Sequence, residues 1–142
     1  MSGPTLSSLA VGDEVVRTST TFERADMVRY AGASGDFNPI HHNERFATEM
    51  GLPNVIVHGM LTMARVIAPE VSWVGDPGAV LSYGVRFTRP VPVPDPGSVE
   101  VEIVGTVGAL DVQAGTARID LKVSLAGAMV LGKSRATVRL PS

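Results

Sequence analysis

No cysteine occurs in the 142 residues. That excludes a disulfide framework and any thiolate metal site, and it fits a reducing compartment. Charge is sparse as well. Charged residues make up 18%, twelve basic against fourteen acidic, for a formal net charge of −2. A phosphate-backbone partner is therefore not expected, and no nucleic acid is assigned. Long hydrophobic runs are missing too. The longest mostly apolar stretch, Val55–Val71, is broken by His58, Thr62, Arg65 and Pro69, so no membrane span is expected. The first twenty residues hold no basic segment followed by an apolar run, and no signal peptide is read there. With no repeat, low-complexity tract or charge run to divide it, the chain is expected to form one cytoplasmic domain over residues 1–142.

Apolar residues make up 44% of the chain, and their spacing changes along it. Val16, Thr18, Thr20 and Phe22 alternate with polar neighbours, the pattern of a strand. From Glu23 to Ala33 the period becomes helical, with Gly32 as the expected terminator. A second short helix is expected from about Asn43 to Met50, stopped by Gly51 and Pro53. The segment opening at His58-Gly59 is apolar on almost every side and predicts a buried helix, ended or kinked by Pro69 at about Ala68. The second half alternates with period two in four runs, around Tyr83–Phe87, Val99–Ile103, Ile119–Leu125 and Val130–Leu140. In the last run Leu131 falls on the wet face. Turns are expected at Gln113–Gly115 and Ala126–Ala128, and the proline-rich link Pro90–Gly97 is expected to run extended at a sheet edge. The economical packing is α+β: an antiparallel sheet curled around the one buried helix.

Without cysteine, chemistry must come from carboxylates, imidazoles, hydroxyls and backbone amides. All three histidines lie between residues 41 and 58. In Gly35-Asp36-Phe37-Asn38-Pro39-Ile40-His41, the Asn38-Pro39 turn can bring the Asp36 carboxylate and the His41 imidazole to one side, where they would act as acid and base. The alternative is a polar turn with Asp36 as an Asx-type residue and His41 solvated. His58-Gly59 opens the buried helix. There, free amides and the helix field would stabilise an oxyanion, or else Gly59 simply gives clearance. His41, His42 and His58 lack a metal-ligand spacing, and no metal is assigned.

The run from Tyr30 to His41, followed by Ala47, resembles the signature of R-specific enoyl-CoA hydratases and MaoC-like dehydratases. Val57-His58-Gly59-Met60-Leu61 is similar to that family's helix entrance, and Arg86–Val91 to its first sheet-core strand. More narrowly, Ser72–Ala79 and Val91–Pro94 resemble the catalytic B subunits of the (3R)-hydroxyacyl-carrier-protein dehydratases of type II, mycolic-acid-type fatty acid synthesis. The resemblance implies a hot-dog fold. It implies reversible dehydration of (3R)-3-hydroxyacyl thioesters to trans-2-enoyl thioesters, with Asp36 and His41 catalytic, the Gly59 amide on the oxyanion and no cofactor. It also implies a substrate carried on a carrier protein or coenzyme A, and a homodimer or a heterodimer with a sister hot-dog subunit. Carrier protein versus coenzyme A would depend on surface charge around the mouth of the acyl tunnel, with Arg65, Arg86 or Arg89 as the candidate cations. Some family members hold the catalytic Asp with a small hydroxyl two turns into the buried helix. Counted from Gly59 that position is Ile67, so Asn38 is the expected substitute. The rival functions are a non-catalytic hot-dog subunit and an acyl thioesterase.

Overall fold

A computed structural model describes residues 3–142. The five strands are β1 (Glu14–Glu23), β2 (Val80–Phe87), β3 (Ser98–Asp111), β4 (Thr116–Leu125) and β5 (Ala128–Arg139), and the helices are α1 (Arg24–Ser34), α2 (Glu44–Glu49) and α3 (Gly59–Val74). The strands form one antiparallel sheet in the order β1-β3-β4-β5-β2, which leaves β1 and β2 as edges. Alternation puts Val101, Ile103, Val107, Ile119, Val123, Ala136 and Val138 on a dry face, each at most 1% exposed. Helix α3 lies against that face. Arg65 reaches the Thr21 carbonyl on β1, Tyr83 Oη on β2 donates to the Met63 carbonyl at 3.0 Å, and Glu70 meets Gly105 on β3. The result is the hot-dog arrangement, a sheet wrapped around a central helix. Among the described residues, no helix is long and apolar enough to cross a membrane.

Several expectations are corrected. Gly32 lies inside α1, which runs on to Ser34 and ends at Gly35 with φ +77°. Only a glycine takes that left-handed turn without strain, and the turn delivers Asp36 directly after the helix. Pro69 does not end α3. It removes one amide, but Glu70, Trp73 and Val74 beyond it pack into the core and hold the last turn helical until Gly75 (φ +78°). Nor is α3 buried on every side. Thr62, Val66, Glu70 and Val74 face the sheet, while Met60, Ala64 and Ala68 are exposed. Leu131 is buried rather than wet, because Lys133 adopts φ +44° and the β5 register slips between Leu131 and Ser134. The proline-rich link runs extended over residues 90–94 and bends at residues 95–97. Instead of lying free at an edge, it brackets residues 55–57, with Val57 N donating to Val91 O and Val93 N to Val55 O, both at 2.9 Å.

Candidate active site

The loop after α1 is a pair of Asx turns. Asn38 N donates to Asp36 Oδ1 at 3.1 Å, and Ile40 N donates to Asn38 Oδ1 at 3.2 Å, capping the 3-10 turn Pro39–His41. Asp36 is therefore an Asx residue, but only one of its oxygens is used. The other, Oδ2, faces His41 Nε2 at 3.8 Å. His41 is 8% exposed, so the solvated alternative does not hold. Its Nδ1 sits 2.7 Å from the Ile56 carbonyl, which can only accept; Nδ1 therefore carries the hydrogen, and the Nε2 lone pair is left facing Asp36. The 3.8 Å gap is too long for a direct hydrogen bond and leaves room for a hydroxyl or water touching both groups.

His58 and Gly59 close the site from the other side. The His58 ring is 2% exposed and stacks on His41, with centroids 3.8 Å apart and planes 22° from parallel; the Tyr30 ring lies tilted by 60° with its centroid 4.7 Å away. Its Nε2 donates to the Asp36 carbonyl at 3.1 Å. Burial holds its pKa below the ordinary histidine value. The amides of Gly59 and Met60 open α3, where no side chain caps them and no preceding helical carbonyl is available. A Cβ on Gly59 would lie 2.9 Å from Phe87 Cε1, so any side chain there would push the Phe87 ring aside. His41, Gly59 and Thr62 border a mostly apolar cleft of about 440 Å³, whose floor includes Val57, Val91 and Leu131. A second cleft of about 430 Å³ holds Asp36, His58 and Gly59, and the Phe87 ring borders both. The His41 imidazole and the Asp36 carboxyl thus line two clefts that share Gly59 and the Phe87 ring.

The same stretch of chain decides the family. Residues 8–124 match the family model described as a MaoC like domain. The chain belongs to the MaoC-like dehydratase family. It is 37% identical over 103 residues to the mitochondrial 3-hydroxyacyl-[acyl-carrier-protein] dehydratase of Arabidopsis thaliana, a match covering 72% of this chain and 57% of that one. Against the (R)-specific enoyl-CoA hydratase of Aeromonas caviae it is 30% identical over 135 residues, 94% of this chain and 97% of the relative. A solved MaoC-like dehydratase superposes with a TM-score of 0.93 at 38% identity, covering 97% of this chain and 42% of the other. The chain thus spans only about half the length of some relatives it matches, and 24% of the 3-hydroxyacyl-thioester dehydratase X of Mycobacterium tuberculosis, to which it is 44% identical over 70 residues.

Within this MaoC-like site, Ile67 is absent from the lining of both clefts. Two threonines border the cleft, Thr88 and Thr62, and Thr62 lies one turn inside α3 at 3% exposure. The signal in the sequence was a lone threonine on the helix's buried stripe. Asn38 does steady Asp36, through its backbone amide rather than its side chain, which is spent on Ile40. His42 stays exposed, with Nε2 3.3 Å from the Phe37 carbonyl. Of the three arginines, Arg65 is bound to Asp26 at 2.8 Å, alternation puts Arg86 on the sheet face opposite Phe87, and Arg89 borders the cleft. Asp36, His41 and His58 each bring a ligand-type atom within 4.8 Å of the others. Two rings only 22° from parallel aim their in-plane lone pairs side by side rather than at one point, which suits stacking and not chelation.

Proposed function

We propose that the chain catalyses reversible dehydration of (3R)-3-hydroxyacyl thioesters to trans-2-enoyl thioesters. The observation that carries this reading is Asp36 Oδ2 standing 3.8 Å from the lone-pair nitrogen of His41, beside the first free amides of α3. Removing the proton next to a thioester builds negative charge on its carbonyl oxygen. The Gly59 amide, with the helix field behind it, stabilises that charge. His41 Nε2 takes the α-proton, and Asp36 gives a proton to the departing hydroxyl, which leaves as water. The pair begins with one proton on the carboxyl and ends with it on the imidazole, and transfer back across the gap resets it. No cofactor enters. In hydration the same pair holds the water and the steps reverse.

The acyl chain would enter the apolar cleft floored by Val57, Val91 and Leu131, with Arg89 at its border beside the carrier protein or coenzyme A arm. Phe37, Met60 and Phe87 are 63%, 57% and 54% exposed around the site, and the neighbouring edge strand β2 exposes Leu81. That apolar rim is read as the seat of a second hot-dog chain, a copy or a sister subunit, and mass measurement of the purified assembly tests it.

Incubation with crotonyl-CoA separates the readings for the chemistry. Loss of enoyl absorbance with the thioester intact marks a hydratase. Release of free thiol marks a thioesterase, and no change in the assembled protein marks a non-catalytic subunit. Asp36→Asn and His41→Ala are each expected to lower kcat by about 10²-fold or more in folded protein. Full activity in both would remove the assignment.

A further inference from the structure

His58 occupies the N-cap position of α3, where a short hydroxyl, amide or carboxylate side chain is the usual choice, yet it makes no cap hydrogen bond. Its ring turns back across the site instead. One nitrogen holds the Asp36 carbonyl at 3.1 Å, one face covers His41 at 3.8 Å, and the next residue in the chain is Gly59. The remaining nitrogen, Nδ1, is buried with no hydrogen-bond partner. An unpaired buried nitrogen costs stability, so a histidine fitted only for packing would be poorly chosen here. Asp36 is gripped from both sides of its peptide, its amide donating to Ser34 Oγ at 3.1 Å and its carbonyl accepting from His58. His41 is gripped at its Nδ1 edge by Ile56 O and on its face by His58. His58 is the side chain that touches both.

We infer that His58 is a positioning residue: its hydrogen bond to the Asp36 backbone and its stacking on His41 fix the separation of acid and base against the start of α3. The inference rests on reading Asp36 and His41 as that pair. His58 has Asp36, His41 and His42 as its charged or titratable neighbours, with the tilted Tyr30 ring beside it. Burial first, and then the adjacent imidazoles, lower its pKa, which disfavours a second positive charge at stacking distance from His41.

The test is His58→Phe, which keeps an aromatic ring against His41 and deletes the bond to Asp36. In crotonyl-CoA hydration we expect kcat to fall about tenfold while KM stays within about twofold, since small misplacement of reacting groups acts on the chemical step. Circular dichroism and melting should show a folded protein. If the phenylalanine variant does not fold, His58→Gln, which keeps a side-chain N–H for the carbonyl and loses the ring, is measured with the same expectation. Independently of activity, the His58 ring Cε1–H signal of the wild-type protein should titrate below that of a free imidazole measured alongside it. A folded variant with kcat within twofold of wild type, or a His58 signal that titrates at or above the free imidazole, overturns the inference. The NMR arm keeps this failure distinct from loss of the dehydratase reading, which the Asp36 and His41 variants decide.

Discussion

Glu70 is the most exposed to test of the groups outside the site, because it is fully buried and nothing pairs with it. It sits on the sheet-facing stripe of α3 at 0% exposure, with both carboxyl oxygens lacking a hydrogen-bond partner. It fits because Gly105 lacks a side chain: a Cβ there would lie 2.8 Å from Glu70 Oε1. Gly105 pairs across the sheet with Leu121, and Leu121 with Ser134, whose hydroxyl is also buried and unpartnered. Tyr83 is the neighbouring titratable group, itself pushed up to about 12 by burial. Burial pushes Glu70 from 4.5 up to about 7. The folded protein therefore binds a proton in the window between those values that the unfolded chain has released, so stability falls as pH rises from 4.5 through 7 and is level above it. The gap is worth about 3 kcal/mol in full, of which about 2.5 kcal/mol is lost between pH 5 and pH 8. Glu70→Gln removes the titration and keeps the shape. Urea unfolding of both proteins at the two pH values, at fixed protein concentration, gives the difference of differences, so that every other titrating group cancels. The variant should gain about 2.5 kcal/mol on wild type between pH 5 and pH 8, which is roughly 8 °C in melting temperature for a domain of this size. A pH-independent difference would mean that Glu70 is hydrated or paired in solution, and the burial argument would fail.

Gly105→Ala drives a methyl into Glu70 Oε1 and to within 3.4 Å of Ile119 and Leu121 side chains, and should cost about 1–3 kcal/mol in urea unfolding. A cost below about 0.5 kcal/mol would show that the Glu70 side chain moves freely. Gly59→Ala pushes against the Phe87 ring, which is 54% exposed and can swing outward. The backbone amide is kept and the fold should survive, but the added methyl crowds the approach to that amide, and kcat/KM for crotonyl-CoA should fall about 10²-fold, the scale on which a small misplacement of reacting groups acts. Activity within threefold of wild type would show that close approach to the start of α3 is not needed.

The fold was largely legible because strand alternation is a local property. Val99, Val101 and Ile103 point to the dry side whichever strand lies next to them, so the five strands can be read without knowing the order β1-β3-β4-β5-β2, although Phe87, grouped by alternation with Tyr83 and Val85, ends 54% exposed. Alternation fails where the backbone spends an extra residue. Lys133 at φ +44° shifts the pattern by one, and Leu131, polar-facing in a strict count, ends 2% exposed. The same limit applies at Pro69. A proline announces a helix end locally, but whether the helix stops depends on what Trp73 and Val74 beyond it touch, and that is a tertiary fact.

The site divides along the same line. Asp36 and His41 share one short loop whose geometry Asn38 and Pro39 dictate, so their proximity follows from the sequence. His58 and Gly59 join them from 22 residues away along the chain, and only the path of α2 and the 55–57 segment, locked to Val91 and Val93, brings them there. Position in the helix mattered more than residue type. Thr62, Val66 and Glu70 recur every four residues on the stripe facing the sheet, so the run's polar side chains sort by spacing: Thr62 comes up at the cleft and Glu70 beneath the middle of the sheet, whereas Arg65, off the stripe, escapes to Asp26. An apolar helix with isolated polar residues is thus better read by the stripe each occupies than by how often they interrupt it. On that reading a buried hydroxyl at the helix mouth faces the cleft, and a buried carboxyl two turns further in governs stability and its dependence on pH.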